Sequence, residues 1–157
     1  MQVEALIYQG LIGISLAMYL WLLAAGLTIA FGVLGVLNFA HGSLYMLGGY
    51  FAFTFYDLLG LNFWLSLVLA ALSGAVIGIV MERFFFRYIY HLDESYQLLL
   101  TFGFILIFSD GARMIWGGVA RIPPMPDIFD RTVPIVGRPF PLYNLFIIGV
   151  GVAMALL

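Results

Sequence analysis

The sequence predicts an all-α protein, a polytopic bundle of membrane helices with about five spans. Three observations carry that expectation. The chain of 157 residues is 64% hydrophobic and only 9% charged, against about 25% charged in soluble domains. Its mean hydropathy is +1.12. No Asp, Glu, Lys or Arg occurs from Ala5 to Tyr56, a run long enough for two passes, because about 20 residues at 1.5 Å rise cross a hydrocarbon core of about 30 Å.

The first span is expected at about residues 9–35. Its start, Met1-Gln2-Val3-Glu4, lacks the positive region of a signal peptide, and the following apolar run is too long for one. It reads as an uncleaved membrane helix. The second span falls at about 43–59. The third, about 63–81, is uncharged and ends at Glu82-Arg83. The fourth, about 96–116, carries Asp110 and Arg113 near its end. Pro123, Pro124, Pro126, Pro134, Pro139 and Pro141 mark a loop. A fifth run starts near Leu142 and reaches Leu157, about 16 residues, short of a comfortable span. It reads as a helix cut short, and residues 1–157 as the N-terminal part of one membrane domain.

Aromatic residues sit where span ends are expected, with Tyr56 and Trp64 at one turn, Tyr88, Tyr90 and Tyr96 at the next, and Trp116 closing the fourth span. Such amphipathic rings favour the headgroup level. There is no lysine, so orientation rests on six arginines. Arg83 and Arg87 favour a cytoplasmic loop after the third span, whereas Arg121, Arg131 and Arg138 pull the other way.

Composition excludes several functions. With no cysteine there are no disulfides, thiolate metal sites or thiol nucleophiles. The two histidines, His41 and His91, give no metal-ligand spacing. Ser109-Asp110 has no histidine nearby for a triad, and no GxxxxGK[ST] phosphate loop is present. A net charge of -2 gives a nucleic-acid partner no electrostatic support. The expectation is a non-enzyme with no cofactor and no metal.

Three constellations remain. The first is the polar interruption Asn38-Phe39-Ala40-His41-Gly42 inside the long apolar stretch. Non-helical backbone at membrane depth persists only where protein or cavity water satisfies its N–H and C=O groups. Asn38, His41 and Gly42 therefore either line a solute path or cap a turn between two spans. Gly26, Ala30, Gly32, Gly35, Gly48 and Gly49 surround them, so local unwinding or tight packing is expected, given that glycine costs about 1 kcal/mol in a helix interior. The second is Ser66, Ala70, Gly74 and Gly78, four small residues at four-residue spacing, which mark a helix-packing seam of the small-xxx-small kind. The third is Asp110 and Arg113, three apart and within reach of each other. They are either an intramembrane ion pair or, if the helix ends near residue 108, interfacial.

The string Gly26-Leu-Thr-Ile-Ala-Phe-Gly-Val-Leu-Gly-Val-Leu-Asn-Phe-Ala-His-Gly-Ser-Leu-Tyr-Met-Leu-Gly-Gly-Tyr50 closely resembles the permease subunits of branched-chain amino acid ABC importers. Met81-Glu82-Arg83 and the stretch 97–117 add to the resemblance, which covers about residues 16–118. It implies a multi-pass permease of the bacterial inner membrane, translocating branched-chain or other hydrophobic amino acids by alternating access. Relatives of that family carry urea or short amides. The implied partners are a second permease subunit, cytoplasmic ATP-binding subunits, an external solute-binding protein and the lipid bilayer. The resemblance also makes the loop after the third span cytoplasmic and the N-terminus external, with Glu82 and Arg83 anchoring that helix end at the cytoplasmic surface. One departure is that the family's Ala/Gly-rich coupling loop, expected after the fifth span, does not occur within these 157 residues. A helical scaffold or small self-assembling channel is the alternative class; a channel should show a repeated polar stripe along one helix, and none is obvious.

Overall fold

The apolar runs become helices in the expected order. The computed structural model describes residues 2–35, 38–119, 124–135 and 137–156; Arg121 and Pro123 lie outside them. Helix α1 spans Gln2–Leu34, α2 His41–Phe53, α3 Phe63–Met81, α5 Glu94–Trp116 and α6 Leu142–Ala155. Between α3 and α5 lies the short turn α4, Arg87–Ile89. Among the described residues three helices are long and apolar enough to cross a membrane: Val3–Gly32, Phe63–Ile89 and Glu94–Trp116.

Two helices run on where their apolar pattern changes. α2 continues into a π-helical turn, Thr54–Leu58. α3 continues into another, Glu82–Phe86, and then α4. The α-helix proper ends at Met81, as expected, but the helical path does not stop at Glu82-Arg83 and continues to Ile89. No glycine or proline occurs between Met81 and Tyr90 to stop it, and the wider π-helical turn absorbs one extra residue. The start of α3 is set more sharply. The Asn62 side chain accepts from the Trp64 N–H at 2.9 Å, satisfying a donor that the first helical turn leaves open.

Hydroxyls inside these apolar helices are met locally. Ser66 and Ser73 donate to the carbonyls of Asn62 and Leu69 at 3.0 and 2.8 Å, the back-bonding that lets small polar residues sit in a helix. α1 is continuous through Gly26 and Gly32, so the glycine-rich stretch does not unwind there. The helix stops at Gly35, whose φ of 67° is the left-handed cap conformation, with its N–H donating to Phe31 O at 2.8 Å.

The chain divides into two compact units, Met1–Gly26 with Met125–Leu157, and Leu27–Pro124. In the first, the proline-rich segment forms an element the sequence did not announce, an antiparallel hairpin of β1 (Thr132–Ile135) and β2 (Arg138–Pro141). Val133 pairs with Phe140 and Pro134 with Pro139. Both strands are edges, where a residue with no N–H to donate is tolerated, and Gly137 turns the chain at φ 74°. Phe140 is fully buried and meets the edge of the Tyr8 ring at 5.7 Å. The Tyr8 hydroxyl donates to Pro139 O at 3.1 Å, and the Arg138 guanidinium lies 5.9 Å from the same ring. The hairpin thus packs against the N-terminal turns of α1. α6 meets α1 tightly, since a Cβ added at Gly151 would lie 2.5 Å from Met18 Sδ and 3.1 Å from Met18 Cβ.

In the second unit α2 and α3 form an antiparallel pair with α5 against it. The core comprises Ala40, Met81, Phe86 and Phe104, with Leu44, Ile77, Leu100 and Phe108 around it. Phe104 carries much of this contact, stacking on Phe108 at 5.5 Å and meeting Phe85 edge-on at 5.1 Å.

A candidate functional site at the break between α1 and α2

The break is built by a late start of α2. Phe39 stacks on Phe102 at 6.1 Å, and Ala40 is buried with Phe104. Phe104 is ten residues into α5, about 15 Å from its first residue at 1.5 Å per residue. At the other end of α2, Tyr50 stacks on Trp116 at 4.9 Å. The two helices run in the same direction, and α5 projects about 15 Å beyond the start of α2. A small recess lies at this end, lined by Phe31 and Gly35 at the C-terminal end of α1 and by Glu94, Gln97 and Leu98 in the first turns of α5.

Asn38 organises the turn that leads into α2. Its Oδ1 accepts from the Ala40 N–H at 3.0 Å, and its carbonyl accepts from the His41 N–H at 3.1 Å. The Asn side chain thereby holds a turn that leads into α2, the local hydrogen bonding that suits Asn to such places. His41 is the first residue of α2 and half-buried, while Gly42 is exposed, with open space where a Cβ would point. Of the two roles open to Asn38, the capping one has a hydrogen bond behind it.

Polar residues the sequence reading did not single out face the break. On α5 the buried residues Gln97, Thr101, Phe104 and Ala112 follow helical spacing. Gln97 is 8% exposed and Thr101 0%. The Thr101 hydroxyl donates to Leu98 O at 2.9 Å. Neither amide atom of Gln97 bonds to a described residue, and the side chain borders a cavity of about 60 Å³ with Phe31, Gly35, Glu94 and Leu98. Its amide opens onto this cavity, which is large enough for water, and among the described residues no buried side-chain N or O is left without a partner. Glu94, Gln97 and Thr101 are spaced as one helical face, a short polar stripe at the start of α5 that the sequence reading missed.

The other expected residues lie elsewhere. The small-residue seam divides: Ser66 and Ala70 are buried, whereas a Cβ at Gly74 or Gly78 would meet nothing within 4 Å. Asp110 and Arg113 fall inside α5, which runs to Trp116 and not only to residue 108. They pair at 3.6 Å with both side chains exposed, away from the break. Glu82 accepts a very short hydrogen bond from the Tyr90 hydroxyl. Burial first, then that hydrogen bond and the nearby carboxylate charge, push the Tyr90 pKa up to about 12. Among the described residues no cluster of His, Cys, Asp and Glu could hold a metal ion.

Comparison with known proteins agrees with this architecture. The high-affinity branched-chain amino acid transport system permease protein BraD of Pseudomonas aeruginosa is 33% identical over 102 residues, covering 60% of this chain and 33% of BraD. The corresponding protein LivH is 28% identical in Salmonella typhimurium and 27% in Escherichia coli. Each match runs over 126 residues, 75% of this chain and 40% of LivH. The chain thus spans about a third to two-fifths of the length of these curated relatives. No solved structure matches it significantly. The family described as branched-chain amino acid transport system, permease component, matches residues 11–157, and the chain, a multi-pass membrane protein, belongs to that family.

Proposed function

We propose that the chain is the N-terminal part of a permease subunit that moves branched-chain or other hydrophobic amino acids across the bacterial inner membrane. In this reading ATP-binding subunits on the cytoplasmic side drive alternating access. A second permease subunit completes the path, and an external solute-binding protein delivers the solute. The chain itself contributes no catalytic group. The relatives' printed names concern branched-chain amino acid transport, and they support the substrate class.

The observation that carries the reading is the recess at the α1–α2 break. Discontinuous helices place polar backbone ends where a solute passes, and lone polar side chains survive there because cavity water satisfies them. Asn38 shapes the turn into α2 beside His41, while Glu94 and Gln97 supply polar lining at the N-terminal end of α5. Gly42 leaves open space at the first turn of α2.

The test is uptake by the full-length permease reconstituted with its ATP-binding subunits, measured per assembled complex. Gln97→Leu and His41→Leu are expected to reduce leucine uptake several-fold while assembly stays near normal. Unchanged uptake per complex in both variants overturns the assignment of the recess to the path.

A further inference from the structure

A second feature lies on α3, away from the break. Ala75, Gly78, Ile79, Glu82, Arg83 and Arg87 line an open groove. Its upper part is apolar and open because Gly78 carries no side chain and, among the described residues, nothing lies within 4 Å of where its Cβ would be. Its lower part is basic. Among the described residues neither Arg83 nor Arg87 pairs with a carboxylate. The Glu82 carboxylate also borders the groove and would face a bound anion, but it is already engaged by the Tyr90 hydroxyl. Two guanidinium groups against one carboxylate leave the groove with a net positive charge. The Arg87 guanidinium lies 5.3 Å from the Tyr88 ring, a cation–π contact that holds it near the helix surface.

Depth follows from helix length. From Trp64, about 20 residues at 1.5 Å per residue cross the hydrocarbon core and reach the level of Arg83. The guanidinium groups therefore sit where lipid phosphates lie, and Ala75 to Ile79 sit where acyl chains begin. The π-helical turn Glu82–Phe86 carries Arg83, and the apolar and basic residues line one groove.

We propose that this groove binds an anionic phospholipid, with its phosphate on Arg83 and Arg87 and an acyl chain along Ala75, Gly78 and Ile79. Arginine suits the role because its planar fork gives two parallel hydrogen bonds to a phosphate. The order of groups along the groove, apolar then cationic, matches a lipid entering from the bilayer. Free phosphate would use only the basic end, and a soluble acidic protein would leave the apolar part uncovered.

Native mass spectrometry of the full-length permease with phosphatidylglycerol or phosphatidylcholine tests this. The wild type is expected to retain phosphatidylglycerol under activation that strips phosphatidylcholine. The preference is expected to fall about tenfold to thirtyfold in the Arg83→Gln, Arg87→Gln double variant. The corresponding double Lys variant, which keeps both charges, is expected to retain most of it and serves as a folding control. Gly78→Leu, which fills the acyl part, is expected to weaken retention with both arginines intact. Equal retention of the two lipids by the wild type overturns the proposal, as does unchanged preference in the double Gln variant. Loss of the ATP-binding subunits with phosphatidylglycerol retained would assign the arginines to a protein contact and equally overturn it.

Discussion

The indole N–H of Trp116 donates to the hydroxyl oxygen of Thr54 at 2.8 Å. That bond joins the last residue of α5 to the first residue of the π-helical turn after α2. The same hydroxyl donates to Tyr50 O at 2.8 Å, so one oxygen serves both helices. Tyr50 in turn stacks on the indole. The end of α2 remote from the break is thereby clamped by a side-chain hydrogen bond, while its start is held by the Asn38 turn and by apolar packing of Phe39 and Ala40.

Removing either half of that bond should cost stability. Trp116→Phe keeps a ring for Tyr50 but leaves the Thr54 oxygen without its donor. Thr54→Val strands the indole N–H. Each is expected to destabilise by about 1–3 kcal/mol, read as a lowered midpoint in thermal unfolding of the purified protein. The double variant should cost less than the sum, because both changes break the same bond. Fully additive effects would show that the contact contributes nothing of its own.

Glycines at two sites should behave oppositely. At Gly151 a side chain would run into Met18, down to its Cβ, and Gly151→Leu is expected to cost about 1–3 kcal/mol by overpacking. At Gly78 the space is open, and Gly78→Leu should leave the stability of this chain within about 0.5 kcal/mol. The same unfolding measurement decides. A large loss at Gly78 with none at Gly151 would reverse the packing described above.

That contrast shows where sequence reasoning reaches and where it stops. Long uncharged runs gave the helices, because only a helix satisfies its own backbone groups in lipid. The spacing of Ser66, Ala70, Gly74 and Gly78 marked a face, but spacing does not say what covers a face; only Ser66 and Ala70 are buried. Gly151 was not singled out because its neighbour Met18 is far away in sequence. The hairpin was hidden by its prolines, which argue against strands unless both strands are edges. Gln97, by contrast, was within reach. Its spacing to Thr101 and Phe104 is that of one buried face, and a polar residue on such a face is the informative exception.

Tyr90 provides a pH-dependent signature. Folded, it holds its proton up to about pH 12, against 10.0 for the ordinary group. The folded state therefore binds more protons between those values. The stabilising contribution is complete below pH 10 and is lost as the pH rises toward 12. Stability of Tyr90→Phe should fall less steeply with pH across that window than stability of the wild type. Ultraviolet titration should also lose one tyrosinate transition near pH 12. Glu82→Gln should move that transition only partway back, because burial is the larger cause.

Orientation is open to direct labelling. The expected orientation, which rests on the family resemblance, puts the α3–α5 connection with Arg83 and Arg87 in the cytoplasm, against the pull of Arg131 and Arg138 in the later loop. α5 then carries the chain across, so the segment with Asp127 should be external. Tyr8, bonded to Pro139, ties the start of α1 to that same side. A cysteine at His91, which is exposed, should react with impermeant maleimide only from the cytoplasm. Cysteines at Glu4 and Asp127 should react only from outside, in a chain that has no cysteine of its own to interfere. Reversal at all three sites would turn the molecule over while leaving its packing intact. Labelling of Glu4 and Asp127 from opposite faces would do more, since the Tyr8–Pro139 contact could not then exist.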